Sequence, residues 1–178
     1  FYTDQINIYA LKQAAASKKV FLLGSLRLTF FLLVLITWIF LYASTISWII
    51  TLVGISFFLY LVHLSADARY EKIRAEKIVK INQDELKSLG GDWSCYKDGS
   101  IYKDHRHPFS GDMDLFGPKS LFQLINRTIS KKGERMLARQ LSLGTEKIAL
   151  TNAAIRELSE KIDWSQQFLS EGMVFIEE

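Results

Sequence analysis

The feature that most constrains this chain is a long stretch, residues 28–62, without a single Asp, Glu, Lys, Arg or His. It joins two apolar segments, residues 20–42 and 46–64. About 20 apolar residues in a helix cross a hydrocarbon core of roughly 30 Å, so each segment is long enough to span a bilayer. The few residues between them leave room only for a tight reversal. The sequence therefore predicts an antiparallel transmembrane helical hairpin over residues 20–64, with the lipid bilayer as its partner.

Basic residues flank this hairpin on both sides and are absent from its reversal. They are Lys12, Lys18 and Lys19 before it, and Arg69, Lys72, Arg74 and Lys77 after it. Because cytoplasmic flanks carry an excess of Lys and Arg, we expect both termini to be cytoplasmic, including the N-terminal segment 1–19.

Four residues are candidates for the membrane interface. Trp38, Tyr42 and Trp48 surround the reversal, and aromatic rings with a polar edge favour the headgroup level. Arg27 lies inside the first apolar segment, close enough to its start for the side chain to extend towards the cytoplasmic headgroups.

Two other interpretations of the hairpin are weaker. A core hairpin of a soluble helical protein needs a polar face, and neither segment has one. A transport path usually places ionisable or unwound segments at mid-membrane, where this chain has only Thr37, Gly54 and Ser56. A plain anchor is the better interpretation.

The composition changes sharply after residue 64. Residues 65–91 have the mixed charges and spacing of a juxtamembrane helix, which the Gly90-Gly91 pair should end. Residues 97–100, Lys-Asp-Gly-Ser, predict a reverse turn between two short pieces that form either strands or an irregular extended arm.

A helical domain is predicted for the remainder, so the fold class is mainly α. Pro118 suits a first helical position, and Ser130 and Thr145 suit the caps of a second and a third helix. A fourth helix is expected from about residue 163 to 170, with a stop at Gly172. The expected buried positions are Leu121, Leu124, Ile125 and Thr128 in the first helix, Met136, Leu137 and Leu141 in the second, Ile148, Ile155, Leu158 and Ile162 in the third, and Trp164, Phe168 and Leu169 in the fourth.

Composition excludes several classes of protein. The 13% aromatic residues and a net charge of +3 exclude a disordered chain. A single cysteine, Cys95, excludes a disulfide scaffold and a cysteine-based zinc site.

Two motif candidates fail on chemical detail. Asp104, His105, His107, Asp112 and Asp114 are close in sequence, but their spacing matches no helical histidine pair or calcium loop. Residues 117–120, Gly-Pro-Lys-Ser, resemble the end of a phosphate-binding loop, but Pro118 has no N–H and the upstream glycine is misplaced. We therefore expect no metal, no nucleotide cofactor and no catalytic residue in this chain.

One helix concentrates positive charge, with Glu134 as the only acid against Lys131, Lys132, Arg135 and Arg139. These four residues are candidates for nonspecific contact with DNA phosphates. No aromatic residues are interleaved for base stacking, and a solvated surface is the commoner reason for such a run.

Part of the chain resembles a known family. The residues that carry the resemblance are His107-Pro-Phe-Ser-Gly-Asp-Met-Asp-Leu-Phe-Gly117, Ser120-Leu-Phe-Gln-Leu-Ile-Asn-Arg-Thr128, Gly133, Leu137 and Ala154-Ile-Arg-Glu-Leu158. Together they resemble the start of the helical core domain of MutS-related proteins, the family of DNA mismatch-repair MutS. The arrangement is most similar to the membrane-anchored bacterial branch, in which two transmembrane helices precede this core. Thr151-Asn152 depart from the Arg-Gln pair found in many members.

The resemblance implies a function for a longer protein. Residues 92–178 would be the incomplete start of the core, and an ATPase domain that binds ATP and Mg²⁺ would lie downstream. The chain would then be a non-enzymatic N-terminal fragment of a homodimeric ATPase at the bacterial inner membrane, with DNA as a further expected partner. The alternative is a membrane-bound scaffold without an ATPase, whose helical domain binds another protein.

Overall fold

The structure, a computed structural model, is mainly helical. It describes residues 1–40, 45–104, 110, 112–144 and 148–177. The α-helices are α1 (Tyr2–Phe40), α2 (Thr45–Leu89), α3 (Leu121–Ile125), α4 (Lys131–Leu143), α5 (Ile148–Ser159) and α6 (Ile162–Glu177), and a short 3-10 helix covers Ser100–Tyr102. These residues contain no strand, so the segment between α2 and α3 is irregular where it is described.

The chain divides into two compact units. The hairpin unit comprises residues 7–76, and the helical unit comprises residues 1–6 and 77–178. The charged residues after position 64 continue α2 without a break. The helix ends at Leu89, and Gly91 adopts a positive φ of 86°, so the predicted stop at the glycine pair is confirmed.

Within the hairpin unit, α1 and α2 pack antiparallel. The Phe30 and Phe57 ring centroids lie 4.4 Å apart, and the Trp38 indole N–H donates to the Thr51 hydroxyl at 2.8 Å. Between these pairs, Gly54 lies against Val34 so closely that an added Cβ would be 2.8 Å from the valine Cγ2. Successive residues of α1 therefore meet residues progressively earlier in α2, as a hairpin requires.

A seam with a seven-residue repeat joins the two helices of the hairpin unit. Its α1 members are more shielded than most of their neighbours and recur at alternating spacings of four and three; they are Tyr9, Gln13, Ala16, Val20, Leu23, Arg27, Phe30, Val34 and Thr37. In α2 the corresponding members also lie three or four residues apart, although the two spacings do not alternate strictly; they are Thr51, Gly54, Phe57, Leu61, Ser65, Ala68, Lys72 and Ala75. This 3.5-residue period is that of two-stranded coiled coils. We call this set of residues the seam.

The core of the helical unit is an aromatic cluster. Leu115, Phe116, Phe122 and Ala138 are buried, and Tyr102 packs on both phenylalanine rings with centroid distances of 6.1 and 5.8 Å. Gly99 has a φ of 69° and faces the Phe122 ring so closely that a Cβ there would lie 2.6 Å from it. The predicted turn is an Asx turn in which Asp98 accepts from the Ser100 N–H at 2.9 Å. It brings the 3-10 helix onto this cluster.

A buried pair of amide side chains joins α6 to the end of α2. The Asn82 Nδ2 group donates to Gln166 Oε1 at 3.0 Å, and Gln166 Nε2 donates back to Asn82 Oδ1 at 2.9 Å. Asn82 Nδ2 also donates to the Ile78 carbonyl. Because buried amides are costly when unpaired, this reciprocal pair fixes the face that α6 turns towards α2.

The start of α3 differs from the prediction. The helix begins at Leu121, not at Pro118, because Lys119 takes a left-handed φ of 61° and Ser120 provides the cap by accepting from the Gln123 N–H. The predicted cap of α4 is confirmed, since Ser130 Oγ accepts from the Gly133 N–H at 3.0 Å. The proposed cap at Thr145 lies outside the described residues.

Several predicted buried faces are wrong. In α3 the buried residues are Phe122 and Gln123, whereas Leu121, Leu124 and Ile125 are exposed, because the Phe122 ring belongs to the aromatic cluster. Met136 in α4, Ile155 and Leu158 in α5, and Ile162, Trp164 and Phe168 in α6 are exposed as well. Helix α6 also continues past Gly172 to Glu177. The glycine does not end the helix; it allows a close contact with Ile129, whose Cδ1 would lie 2.8 Å from an added Cβ.

Candidate functional site

The outward surface of the hairpin unit is apolar. Its exposed large side chains between positions 21 and 62 are Phe21, Leu22, Leu26, Leu28, Phe31, Leu32, Leu33, Leu35, Ile36, Ile39, Phe40, Trp48, Ile49, Ile50, Leu52, Val53, Ile55, Phe58, Leu59, Tyr60 and Val62. Soluble monomers rarely expose so large an apolar surface. Both helices are long and apolar enough to cross a membrane.

Hydroxyl groups on this surface are satisfied within their own helices. Ser25, Thr29 and Ser56 each donate to the carbonyl four residues earlier, at 3.0 Å. In a hydrocarbon solvent an unpaired hydroxyl costs several kcal/mol, so such local bonds let small polar residues face lipid.

The predicted interface tryptophans meet at one end of the hairpin. The Trp38 and Trp48 rings pack edge to face with a centroid distance of 5.4 Å, and the Trp38 hydrogen bond to Thr51 ties the same end together. Tyr42, the third aromatic candidate, lies outside the described residues.

Arg27 lies in the seam. Its side chain is partly shielded, and among the described residues its Nε has no hydrogen-bond partner. The Arg27 side chain is therefore partly shielded in the seam as far as Nε.

A polar clamp at the end of α2 is the most elaborate side-chain arrangement in the helical unit. We define it as Glu85, Tyr96 and Arg127. The guanidinium of Arg127 forms a two-pronged ion pair with Glu85, from Nε to Oε1 and from Nη2 to Oε2 at 3.0 Å. Its Cζ lies 3.7 Å from the centroid of the Tyr96 ring. Arg127 Nη1 also donates to the Leu124 carbonyl. The guanidinium therefore makes hydrogen bonds along its edges and contacts the Tyr96 ring with one face.

Burial and charge act in opposite directions in the clamp. Burial by itself would lower the pKa of Arg127, but the hydrogen bonds and charge of Glu85 outweigh it and raise that pKa. Burial raises the pKa of the Tyr96 phenol, and the Glu85 carboxylate adds to the effect. Both shifts keep the Arg127 guanidinium charged and the Tyr96 phenol neutral across the neutral pH range.

Asn126 and Thr128 complete the same loop. The Asn126 side-chain oxygen accepts from the Thr128 N–H at 3.0 Å and from its hydroxyl at 2.7 Å, and its amide donates to the Lys97 carbonyl at 3.3 Å. The Asn-Arg-Thr sequence thus shapes a turn and holds it on α2. A cleft of about 200 Å³ beside the clamp is lined in part by Cys95, Leu169 and Met173.

The four basic candidates of α4 are all exposed on that helix: Lys131, Lys132, Arg135 and Arg139. Glu134 between them is buried and pairs with Lys97 at 2.8 Å, so the acid belongs to the interior and leaves the basic side chains on the surface. Lys131 and Arg135 border an open groove of about 870 Å³ together with Ile101 and Tyr102.

The loop at residues 117–120 uses its backbone donors inside the chain. The Gly117 N–H donates to the Asp98 carbonyl, the Lys119 N–H to Gln123 Oε1, and the Ser120 N–H to the Gly117 carbonyl. These are the groups that a phosphate-binding loop would point at its ligand. Of the acidic and histidine candidates, His105 and His107 lie outside the described residues.

Comparison with protein-family models, with curated proteins and with solved structures finds no match to this chain.

The clamp and the amide pair were not visible in the sequence. Arg127 belongs to the Asn-Arg-Thr sequence, but its partner Glu85 lies 42 residues earlier. The charged helix that contains Glu85 has the pattern of a solvent-exposed helix. Asn82 and Gln166 are 84 residues apart, and neither type signals burial. Thr128 was assigned to a helix face, although an Asn followed two residues later by a Thr is a pattern that favours a local turn.

Proposed function

We propose that this chain is the membrane anchor and the first part of the helical core of a membrane-anchored MutS-like ATPase. The observation that supports it best is the structural role of residues 112–128, which carry much of the resemblance to MutS-related proteins. Leu115, Phe116 and Phe122 form the aromatic core, and Asn126 and Arg127 build the turn and the clamp. Because the same residues supply both the hydrophobic core and the clamp, their pattern is typical of a kind of domain rather than of an isolated site.

The membrane part of the proposal rests on the outward apolar surface of the hairpin unit and on its locally satisfied hydroxyls. The basic residues at both flanks support a cytoplasmic location for both termini, and the resemblance supports the bacterial inner membrane.

Cysteine labelling of intact cells tests this topology. In a chain whose Cys95 is replaced by Ser, a cysteine at Ser44 should react with an impermeant maleimide from outside. Cysteines at Ser17 and Ser88 should react only after the cells are opened. Labelling of either flank in intact cells contradicts the proposal.

The ATPase part concerns the longer protein, which would bind ATP and Mg²⁺ through a domain following this chain and act as a homodimer. Reading the coding sequence beyond residue 178 tests it. A Gly-rich loop ending in Lys-Ser or Lys-Thr supports the proposal, and a reading frame without one removes it.

A membrane-bound scaffold is the second candidate function. Helices α5 and α6 favour it, because Ile155, Leu158, Trp164 and Phe168 are exposed instead of packed. A scaffold would have this surface and no ATPase, so the same reading of the coding sequence separates the two functions.

A further inference from the structure

Arg27 is a charged residue of the hairpin unit without an ion-pair partner. In the described part of the chain, no hydrogen bond, ion pair or ring contact involves its side chain, and its Nε is buried. The acidic residues that come nearest to it along the two helices are Asp4 in α1 and Asp67 in α2. An unpaired charge in an apolar environment is costly, so an anion from outside the hairpin would stabilise Arg27.

The seam places Arg27 beside an apolar part of α2. Phe30, three residues after Arg27, packs on Phe57. In an antiparallel pair, Arg27 is therefore level with Leu61, which is 2% exposed and has no polar group in its side chain. Asp67 lies about 9 Å further along α2 and forms no ion pair with Arg27 in the described residues. A second copy of the hairpin would bring the same apolar residues to this level and no carboxylate.

Gly24 leaves an open space beside Arg27. Residues three apart are neighbours on a helix, and side chains lean towards the helix N-terminus, so the Arg27 side chain is directed past Gly24. A Cβ added at Gly24 would have nothing within 4 Å. We call this open space the notch. It leaves room for a ligand on the lipid-facing side of a charged residue that the seam shields only in part.

The depth of Arg27 suits a lipid phosphate. Arg27 lies seven residues beyond Val20, where the apolar segment begins, which is about 10 Å along the axis. An arginine side chain that extends towards the headgroups covers roughly 6 Å of this distance, and local thinning of the bilayer covers the rest. A guanidinium binds phosphate oxygens through two parallel N–H···O bonds.

Charge near the membrane surface favours a lipid with a net negative charge. Lys18 and Lys19 lie about two turns before Arg27, at the start of the apolar segment. Basic residues at this level attract anionic headgroups of the cytoplasmic leaflet.

We propose that Arg27 and the notch bind the phosphate group of an anionic phospholipid in the cytoplasmic leaflet. The phosphate would accept hydrogen bonds from the guanidinium, and an acyl chain would lie along the apolar surface of α1. This inference rests on the proposed membrane anchor and does not depend on whether an ATPase follows the chain.

Native mass spectrometry of the full chain in mild detergent, titrated with phosphatidylglycerol, measures the affinity for the first bound lipid. Arg27→Gln should weaken this affinity about 20-fold or more, the range for hydrogen bonds to a charged group. Arg69→Gln removes an exposed charge on the flank of α2 and should weaken it about fivefold or less, the contribution of one surface charge. Equal losses in the two variants, or no loss in Arg27→Gln, overturn the proposal.

A second pair of variants tests the notch without changing the charge. Gly24→Leu fills the notch and should weaken phosphatidylglycerol binding by about tenfold, the loss of one charge-assisted hydrogen bond. Ser25 lies about 200° from Arg27 round the helix, so Ser25→Leu adds the same side chain away from the notch and should leave the affinity unchanged. Equal effects of these two substitutions overturn the proposed location.

Inorganic phosphate distinguishes a lipid from a free anion. Sodium phosphate added to the complex should not displace the lipid, because the acyl chains hold its phosphate at the depth of Arg27. Displacement would assign the notch to a free anion and overturn the lipid as its ligand.

Co-flotation of the full chain with phosphatidylglycerol liposomes measures insertion separately. The wild-type chain and Arg27→Gln should both float. If the wild-type chain does not float, the membrane anchor and the lipid site are both wrong. If both chains float and bind phosphatidylglycerol with equal affinity, the lipid site alone is wrong.

Discussion

At the scale of single residues, the arginine at position 127 shows how one side chain holds a loop to a helix. Its guanidinium reaches Glu85, the Tyr96 ring and the Leu124 carbonyl at the same time. Lysine has the same charge but cannot form the two-pronged pair or stack as a plane. The geometry of the clamp therefore depends on the shape of the guanidinium as much as on its charge.

We expect Arg127→Lys and Glu85→Gln each to lower the free energy of unfolding by about 1.5–3 kcal/mol, the range for hydrogen bonds to charged groups. Chemical unfolding of the full chain in detergent micelles measures this. The matched control is Arg139→Lys on the exposed side of α4, which should stay within about 0.5 kcal/mol. A loss in the control as large as in the clamp would show that the clamp has no special role.

The Asp98 carboxylate at the turn contributes to the stability of the fold in a pH-dependent way. Hydrogen bonds from the backbone N–H and the hydroxyl of Ser100 lower the pKa of Asp98 below its ordinary value. A lowered folded-state pKa means that the stabilisation is present above the ordinary pKa and is lost as the pH falls through the folded-state pKa.

The chain should therefore unfold at a lower midpoint after Asp98→Asn near neutral pH, and the difference should shrink as the pH is lowered towards about 3. Thermal unfolding of both proteins at a series of pH values checks this. Glu160→Gln, at an exposed position between α5 and α6, serves as the control. A difference that grows on acidification would contradict the assigned direction of the pKa shift.

At the scale of helices, the hairpin depends on one close approach. Gly54 lets α2 come so near to α1 that an added Cβ would be 2.8 Å from Val34, whereas Gly24 has nothing within 4 Å of the corresponding position. The two glycines thus form a natural pair, one in contact and one facing outwards.

Gly54→Ala should destabilise the hairpin by about 1–3 kcal/mol, the usual cost of overpacking, and Gly24→Ala should not destabilise it. Titration with sodium dodecyl sulfate from mild micelles, followed by tryptophan fluorescence, measures both. If the two substitutions have the same effect, the helices do not meet at Gly54.

Particular elements show what the sequence could predict. The charge-free stretch predicted two long apolar helices, and Gly90-Gly91 and Ser130 marked a helix end and a helix start correctly, because these signals are local. The buried face of α6 was wrong, because spacing reveals a stripe but not which stripe is covered. Asn82 and Gln166 decide that, and their pairing is a contact between distant parts of the chain. The Arg127–Glu85 pair escaped prediction for the same reason.

At the scale of the whole molecule, α4 carries four exposed basic residues, and the Tyr102 ring in the groove beside them packs on Phe116 and Phe122. Such a surface attracts phosphates irrespective of base sequence, and its affinity falls steeply with salt.

The full chain in nanodiscs should therefore bind matched and mismatched duplexes equally, weakly and in a salt-sensitive manner. Replacing Lys131, Lys132, Arg135 and Arg139 by Ala should remove most of this binding, whereas Arg156→Ala on α5 should not. Filter binding at two salt concentrations measures it. A tenfold preference for the mismatch at physiological salt, about 1.4 kcal/mol, would show that these helices read DNA.

The seven-residue repeat of the seam also limits how the length of the hairpin can change. One inserted residue in α1 would rotate every following seam position by about 100° and turn the stripe away from α2. Seven residues added to both arms would restore the same contacts one repeat further along. Natural or engineered variants of this hairpin should therefore change length in matched whole repeats, while outward positions tolerate exchange among apolar side chains.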